Sequence, residues 1–164
     1  MAKDRYPVTG AVRVLREHGV DFTQHPYSYV ERGGTEVSAR ELGVPEHAVI
    51  KTLIMEDDRG APLVVLMHGD REVSTKNLAR LIGAKSVAPC APAVADRHSG
   101  YQIGGTSPFG TRRAMRVYME RSIAELPYAY INGGRRGYLV GMRPDDIVRV
   151  LQPTLADIAA SKTD

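Results

Sequence analysis

The chain has 164 residues, a formal net charge of +3 and 43% hydrophobic residues. This length suits one compact domain over residues 1–164, and the composition excludes global disorder. The single cysteine, Cys90, excludes an intramolecular disulfide framework and a metal site built from several cysteines. A reducing, cytoplasmic compartment is the simplest expectation.

No segment approaches the ~18 consecutive apolar residues of a membrane helix. The polar start, residues 1–5, leads into no apolar signal-peptide core. We therefore expect a protein that is neither exported nor bound to a membrane.

Helical and extended patterns alternate in the first half of the chain. Apolar spacing between cap-type residues predicts the helices, and β-branched runs around a turn predict a hairpin. In chain order these elements are a helix at 9–18, a strand at 22–27, a helix at 35–42, hairpin strands at 47–56 and 62–68, and a helix from Ser74 to Gly83.

The second half is richer in strands. Pro144 marks a helix start, with Asp145 and Asp146 in its positive first turn. The elements are a short helix at 91–98, strands at 114–119, 128–132 and 138–142, a turn at 133–137, the helix after Pro144, and an amphipathic stretch at 154–160 counted with the final helices. This order predicts an α+β fold with a mixed sheet.

Charge is concentrated in one segment. Between Tyr101 and Arg143 there are seven arginines and two acids, a local net charge of +5. Such a surplus fits a polyanion such as nucleic acid, and equally a solvated arginine-rich surface. The arginines are Arg112, Arg113, Arg116, Arg121, Arg135, Arg136 and Arg143.

Several common cofactor motifs are absent from the sequence. It contains no G-x-G-x-x-G, Walker A or H-E-x-x-H pattern, which removes support for dinucleotide, P-loop and zincin sites. The histidines are scattered without metal-ligand spacing, so they predict no metal site.

Lys51 interrupts an apolar run, and on a strand it shares a face with Val49 and Leu53. Desolvation there favours a neutral amine that can act as a base, whereas a charged ammonium can stabilise an oxyanion or hold a phosphate. The stem can also lie along the sheet with the ammonium in water. The sequence leaves these interpretations open.

Residues 104–110 form a glycine-rich loop. Its backbone can approach a ligand closely and its amides can bind an anion, although a tight structural turn explains the same residues. Ser107 lacks the G-x-S-x-G context of a serine nucleophile. Asn132 and the glycines after it either present an amide to a ligand or form a hairpin turn. Cys90 has no local activating partner, and we interpret it as structural.

Taken together, these segments resemble the YbaK/prolyl-tRNA synthetase-associated domain family, which includes free-standing aminoacyl-tRNA deacylases. The resemblance covers nearly the whole chain. Its motifs are an early H-x-Y segment, a strand with a central lysine, a G-G-x-S-P-x-G loop and an S/N-x-G-x-R-G turn. The corresponding residues here are 25–27, 49–53, 104–110 and 132–137.

The resemblance implies a mixed sheet curled into a partial barrel with helices around it. It also implies hydrolysis of the ester between a mischarged amino acid and the 3′ end of tRNA, without a metal or cofactor. Lys51 is the implied catalytic residue, and water or the thiol of a cysteinyl substrate is the nucleophile. Prolyl-tRNA synthetase is a further candidate partner. The implied substrate-binding residues are Tyr27, Gly104, Gly105, Thr106, Ser107, Pro108, Asn132 and Gly133, and the implied tRNA-binding residues are Arg112, Arg113, Arg135 and Arg136.

Two positions depart from the cysteine-selective branch of that family. Asn132 stands where the branch has a serine, and residues 138–140 lack its aspartate. Both border the amino-acid pocket in the resemblance, so tRNA-Pro carrying cysteine or another small amino acid is the expected substrate range. The missing aspartate leaves an alternative, an inactive tRNA- or synthetase-binding module of the same fold. Hydrolysis of a small-molecule ester fits the same pocket.

Overall fold

The computed structural model describes residues 6–161, so the polar segment 1–5 lies outside the described residues. Cap-type side chains begin two helices as predicted, because the hydroxyls of Thr9 and Ser74 accept first-turn N–H groups. The helices are α1 (Gly10–Glu17), α2 (Gly34–Leu42), α3 (Thr75–Ile82), α4 (Pro92–Ser99) and α5 (Pro144–Leu151), and the short 3-10 turns are Glu46–Ala48 and Arg121–Glu125.

Within residues 6–161, no helix combines the length and the apolar composition that a bilayer crossing requires.

The strands form one mixed sheet, which confirms the predicted fold class; the sheet is not closed. Its hydrogen-bonded order is β1-β7-β6-β2-β3-β5-β8, with β4 paired beside β2. The strands are β1 (Thr23–Pro26), β2 (Val49–Asp57), β3 (Pro62–His68), β4 (Val87–Pro89), β5 (Arg116–Glu120), β6 (Ala129–Arg135), β7 (Tyr138–Met142) and β8 (Thr154–Ala156).

The two edges of strand β2 are paired differently, and this difference determines where the functional region lies. One edge pairs antiparallel with β3 from Ile50 to Glu56. The other edge pairs with β6 at Val49 and Ile50, and with β4 from Met55 onward. Among the described strands, none pairs with residues 51–53 on that second edge. The sheet therefore has a local gap beside the middle of β2.

The two faces of β2 pack into different parts of the core. Ile50 and Ile54 join the large cluster that includes α1 and α5, whereas Met55 joins a second cluster that includes α3. Val49 packs on Ala39 of α2 in a third, smaller cluster. Consecutive residues of a strand point to opposite faces, so Lys51 shares the Val49 face, as predicted.

Two sequence-based expectations were wrong. The stretch 154–160 is extended rather than helical, because β8 pairs in parallel with β5 and Glu120 accepts the N–H groups of Ile158 and Ala159. The predicted turn at 133–137 is shorter, since β6 continues through Arg135 with an irregularity after Asn132. In both cases contacts with distant residues override the local pattern.

Candidate functional site

A pocket of about 680 Å³ opens at the gap in the sheet. Lys51, Thr52 and Leu53 of β2 line it, together with residues of α2, α4 and the glycine-rich loop. Its volume is in the range of small-ligand sites. The pocket therefore lies where β2 exposes an unpaired edge.

The backbone of Thr52 faces this pocket. Val49 and Asp57 both hydrogen-bond toward β3, and the C=O of Ile54 accepts from Cys90 on the other side. Because backbone groups alternate in direction along a strand, the N–H and C=O of Thr52 point to the unpaired edge. Its buried hydroxyl also has no partner among the described residues.

Lys51 lines the pocket with a side chain that is 20% exposed. Its Nζ lies 3.2 Å from Oε1 of Glu72, whose side chain is 84% exposed. The ion pair holds the Lys51 ammonium beside the pocket. The arrangement suits a positive charge held at the rim of the pocket better than it suits a base.

The glycine-rich loop and the β6–β7 turn are tied together by Asn132. Its Nδ2 donates to the C=O of Gly104 at 3.1 Å, while its Oδ1 accepts from the N–H groups of Gly134 and Arg135. Asn132 therefore uses both ends of its amide to fix the two loops that form one wall of the pocket.

Glycine is required where these loops touch. A Cβ on Gly105 would lie 2.7 Å from the backbone N of Arg136, and one on Gly104 would lie 2.5 Å from the hydroxyl of Tyr29. Gly104 also has φ of 89°, which L side chains rarely adopt. No described acceptor takes the backbone N–H of Gly104 or Thr106, and both residues line the pocket.

Arg136 lies at the pocket and also supports its wall. Its Nε donates to the C=O of Ile103 at 2.8 Å, and its guanidinium lies 5.1 Å from the ring centre of Tyr29. These contacts hold it between the glycine-rich loop and the segment after β1.

A cluster of cations lies beside the C-terminal end of α4. Arg112 and Arg113 lie against that end, where their backbone N–H groups donate to the C=O groups of Ser99 and His98. Burial, followed by the charges of Arg113 and Arg97, lowers the pKa of His98 below its ordinary value. No described carboxylate forms an ion pair with Arg97, Arg112 or Arg113. The cluster therefore presents uncompensated positive charge.

The structure places six of the thirteen predicted site residues in the lining of the pocket. The residues that line the pocket are Tyr27, Lys51, Gly104, Thr106, Asn132 and Arg136. Gly105, Ser107, Pro108 and Gly133 lie outside that lining, as do Arg112, Arg113 and Arg135. Ser107 is fully buried, with its hydroxyl accepting from the N–H of Phe109, which agrees with the absence of a serine nucleophile signature.

Sequence reasoning missed the contribution of α2 and the loop before it. Arg32, Thr35 and Ser38 line the pocket. Arg32 has φ of 62°, an uncommon conformation for a non-glycine residue. Its position beside two glycines was the available sequence signal. Thr52 was also missed, although it follows Lys51 directly.

A histidine pair that the sequence did not predict lies outside the pocket lining. The rings of His47 and His68 stack at 3.7 Å with 6° between their planes, and Asp70 contacts His47 at 2.8 Å. Ligand atoms of all three lie within 4.8 Å of one another. Imidazole binds a metal in the plane of its ring, so two closely stacked rings are poorly placed to share one ion.

Cys90 is buried between β4 and α4. Burial and the nearby charge of Glu56 raise the pKa of its thiol, which disfavours the reactive thiolate. This agrees with a structural role.

Comparison with known proteins assigns the chain to a recognised type of domain. Residues 32–150 match the family model described as an aminoacyl-tRNA editing domain. A protein of Enterococcus faecalis with the provisional name Cys-tRNA(Pro)/Cys-tRNA(Cys) deacylase EbsC is 24% identical over 94% of each chain. A proline–tRNA ligase of Nitratidesulfovibrio vulgaris strain Hildenborough is 32% identical over 68% of this chain, which spans 17% of that enzyme.

Solved structures share the fold. The crystal structure of the hypothetical protein APE2540 superposes with a TM-score of 0.85 at 22% identity, covering 93% of this chain and 100% of that one. A structure provisionally described as a trans-editing enzyme for prolyl tRNA synthetase gives a TM-score of 0.81 at 19% identity, covering 95% and 100%. At these identities the likeness concerns the fold alone.

Proposed function

The chain belongs to the aminoacyl-tRNA editing domain family, and on that premise we propose that it hydrolyses the ester between a mischarged amino acid and the 3′ end of a tRNA. The observation that carries the proposal is the pocket at the gap in the sheet. It combines an ammonium at its rim with unpaired backbone amides in its wall.

These groups suit acyl transfer from an activated ester. The ester needs to be positioned, and the oxyanion that forms on its carbonyl needs hydrogen-bond donors. We assign this role to Lys51 and to the backbone N–H groups of Gly104 and Thr106. The N–H and C=O of Thr52 hold the amino-acid part along the unpaired edge of β2, where they extend the strand's hydrogen-bonding pattern.

The nucleophile in this proposal comes from outside the protein. Ser107 is buried and Cys90 has a raised pKa, so neither offers an activated attacking group. Water attacks the ester carbonyl and releases the amino acid from the tRNA hydroxyl. With a cysteinyl substrate, the substrate thiol attacks its own ester carbonyl instead, forming a cyclic thioester as the ester C–O bond breaks. The thiol proton passes to the departing tRNA hydroxyl, and the protein then needs only to orient the thiol.

We propose tRNA-Pro carrying cysteine or another small amino acid as the substrate. The names of the relatives support this choice, since they refer to Cys-tRNA(Pro) and to proline–tRNA ligase. Asn132 replaces the serine expected in the cysteine-selective branch, and its amide is committed to the loop contacts described above. A single substitution in such a pocket changes the discrimination between two amino acids by ~1–3 kcal/mol. It can therefore redirect specificity without changing the reaction.

The cation cluster beside α4 supports a tRNA substrate over a small ester. Phosphate contacts dominate protein affinity for nucleic acids, and exposed arginines without carboxylate partners are suited to make them. In this proposal Arg112, Arg113 and Arg135 contact the tRNA backbone, while Arg136 acts at the pocket. Prolyl-tRNA synthetase is proposed as a partner that supplies the mischarged tRNA.

The test is release of amino acid from a panel of mischarged tRNAs by wild type and Lys51→Ala. We expect the wild type to release at least one small amino acid from tRNA-Pro, and Lys51→Ala to lose that activity while keeping its circular dichroism spectrum and melting temperature. A wild type that leaves the whole panel intact while still binding tRNA would identify a binding module instead. Equal activity toward a simple ester and an aminoacyl-tRNA would favour a small-molecule esterase.

A further inference from the structure

Half-buried aromatic side chains form a row on one face of the sheet. The ring of His25 packs edge-on against Tyr130 at 5.2 Å between centroids, and Tyr130 packs edge-on against Tyr128 at 5.4 Å. We call His25, Tyr130 and Tyr128 the aromatic row. Through the strand register Tyr130 lies opposite Val49, so the row occupies the same sheet face as Lys51.

The row continues into the pocket through Tyr27. That residue is two positions beyond His25, and its N–H extends the strand pairing by donating to the C=O of Gly137 at 2.9 Å. Tyr27 lines the pocket and packs in the same small core cluster as Tyr130. An extended ligand that leaves the pocket past Tyr27 therefore meets the row next.

Gly141 leaves room for the aromatic row, because a side chain at this position would clash with it. A Cβ on Gly141 would lie 2.6 Å from the ring of Tyr128 and 3.2 Å from Nε2 of His25. The hydroxyl of Thr23 lies 2.7 Å from Nε2 of His25 and 2.9 Å from the hydroxyl of Tyr128. These contacts occupy Nε2 of His25 and the hydroxyl of Tyr128 within the protein, while both residues remain partly exposed.

We propose that the aromatic row stacks the unpaired nucleotides that precede the esterified 3′ end of the tRNA. This inference rests on the proposed function, because a terminal ester in the pocket requires the preceding nucleotides to leave across an adjacent surface. Aromatic rings bind successive bases by stacking without reading their sequence. Burial lowers the pKa of His25, which favours the uncharged ring, and an uncharged ring stacks as the tyrosines do.

Fluorescence tests the contact directly, because the chain contains no tryptophan. Tyr128→Trp places one reporter in the row, and Leu81→Trp places a control on α3, where Leu81 is exposed and outside the pocket lining. A short single-stranded RNA ending in CCA should quench the first reporter and leave the second unchanged. Unchanged fluorescence of Tyr128→Trp at saturating RNA overturns the proposal.

Kinetics separate this proposal from the proposed function. Tyr128→Ala should raise KM for aminoacyl-tRNA, lowering kcat/KM about tenfold relative to the same amino acid esterified to adenosine alone. Tyr128→Phe, which keeps the ring, should restore most of the loss. Equal kcat/KM changes on both substrates contradict stacking. If the wild type hydrolyses neither substrate, the proposed function fails, and the fluorescence result still decides the role of the row.

A protein partner is the competing occupant of this surface. Sedimentation of wild type and Tyr128→Ala distinguishes it, since a row buried between two copies of the chain would make the wild type a dimer and the variant a monomer. That result would overturn the RNA proposal. We expect both proteins to sediment alike.

Discussion

Lys51 and Glu72 form an ion pair at the rim of the pocket, with 3.2 Å between Nζ and Oε1. The two residues come from different parts of the chain, since Lys51 lies on β2 and Glu72 lies in the segment between β3 and α3. The lysine side chain is mostly enclosed and the glutamate side chain is almost fully exposed. The carboxylate can therefore yield to an incoming substrate while the ammonium stays at the pocket.

The first prediction concerns Glu72→Gln. An exposed ion pair contributes roughly 0.2–1 kcal/mol, so its loss should change kcat/KM for aminoacyl-tRNA by less than about fivefold. The melting temperature should change by less than about 4 °C for the same reason. Steady-state deacylation and thermal unfolding measure both quantities.

Lys51→Ala is the matched comparison for that variant, and it should lose activity entirely. Loss of activity in Glu72→Gln as complete as in Lys51→Ala would show that the carboxylate itself takes part in the reaction. Our interpretation of Glu72 as a replaceable partner would then be wrong.

The β2–β3 hairpin shows how much of the fold could be predicted. Its strand β3 was predicted with the observed bounds, because β-branched runs and the turn before Pro62 are local signals. Strand β8 was not predicted, since its extended conformation depends on pairing with β5 and on the distant Glu120. Local patterns specify elements, whereas pairing between distant strands can override them.

The candidate site likewise has one part that local sequence patterns predict and one part that only the pairing of distant strands creates. Lys51 and the glycine-rich loop stand out locally, as a charge in an apolar run and as a cluster of glycines. The gap beside β2 does not, because it exists only where β6 ends its pairing and β4 has not begun. Thr52 therefore carried no visible signal, although its backbone faces the pocket.

A second prediction concerns Gly105→Ala. Its Cβ would lie 2.7–3.0 Å from backbone atoms of Arg135 and Arg136, which cannot move aside as a flexible side chain can. The two loops should separate, so we expect a lower melting temperature and at least tenfold lower kcat/KM.

Gly60→Ala is the control for that substitution. Gly60 has φ of 79° but no atom within 4 Å of an added Cβ, and it lies in the hairpin turn. The Gly60→Ala protein should lose about 1–2 kcal/mol of stability through backbone strain alone and keep full activity when folded. Unchanged activity in Gly105→Ala would show that the loop contact does not shape the site.

The third prediction concerns salt dependence. Arg112→Gln with Arg113→Gln should weaken tRNA binding and reduce the slope of log K against log salt by about two, one for each phosphate contact. Filter binding across several salt concentrations measures the slope. Activity at saturating tRNA should change little, because neither residue lines the pocket.

Arg59→Gln with Arg80→Gln is the matched control, since it removes the same net charge from exposed positions outside the pocket lining. Its salt slope should equal that of the wild type. Equal effects of the two double variants would mean that total charge, and not the cluster beside α4, governs binding.

The last prediction concerns Glu120, which is 6% exposed. Burial opposes its ionisation, but hydrogen bonds from Ser122 and from the N–H groups of Ile158 and Ala159 outweigh it and lower the pKa of this carboxyl. A carboxyl with a lowered folded pKa stabilises the protein above its unfolded pKa. That contribution should be fully present above about pH 4.5, the ordinary value, and be lost as pH falls further.

Glu120→Gln should destabilise the protein by about 2–3 kcal/mol at pH 7, because one amide oxygen cannot accept from four donors. Urea unfolding at pH 7, 5 and 3 measures the difference, which should shrink as the pH falls below about 4.5, the ordinary pKa of this carboxyl. A difference that stays constant across this range would mean that Glu120 contributes through packing rather than through its charge.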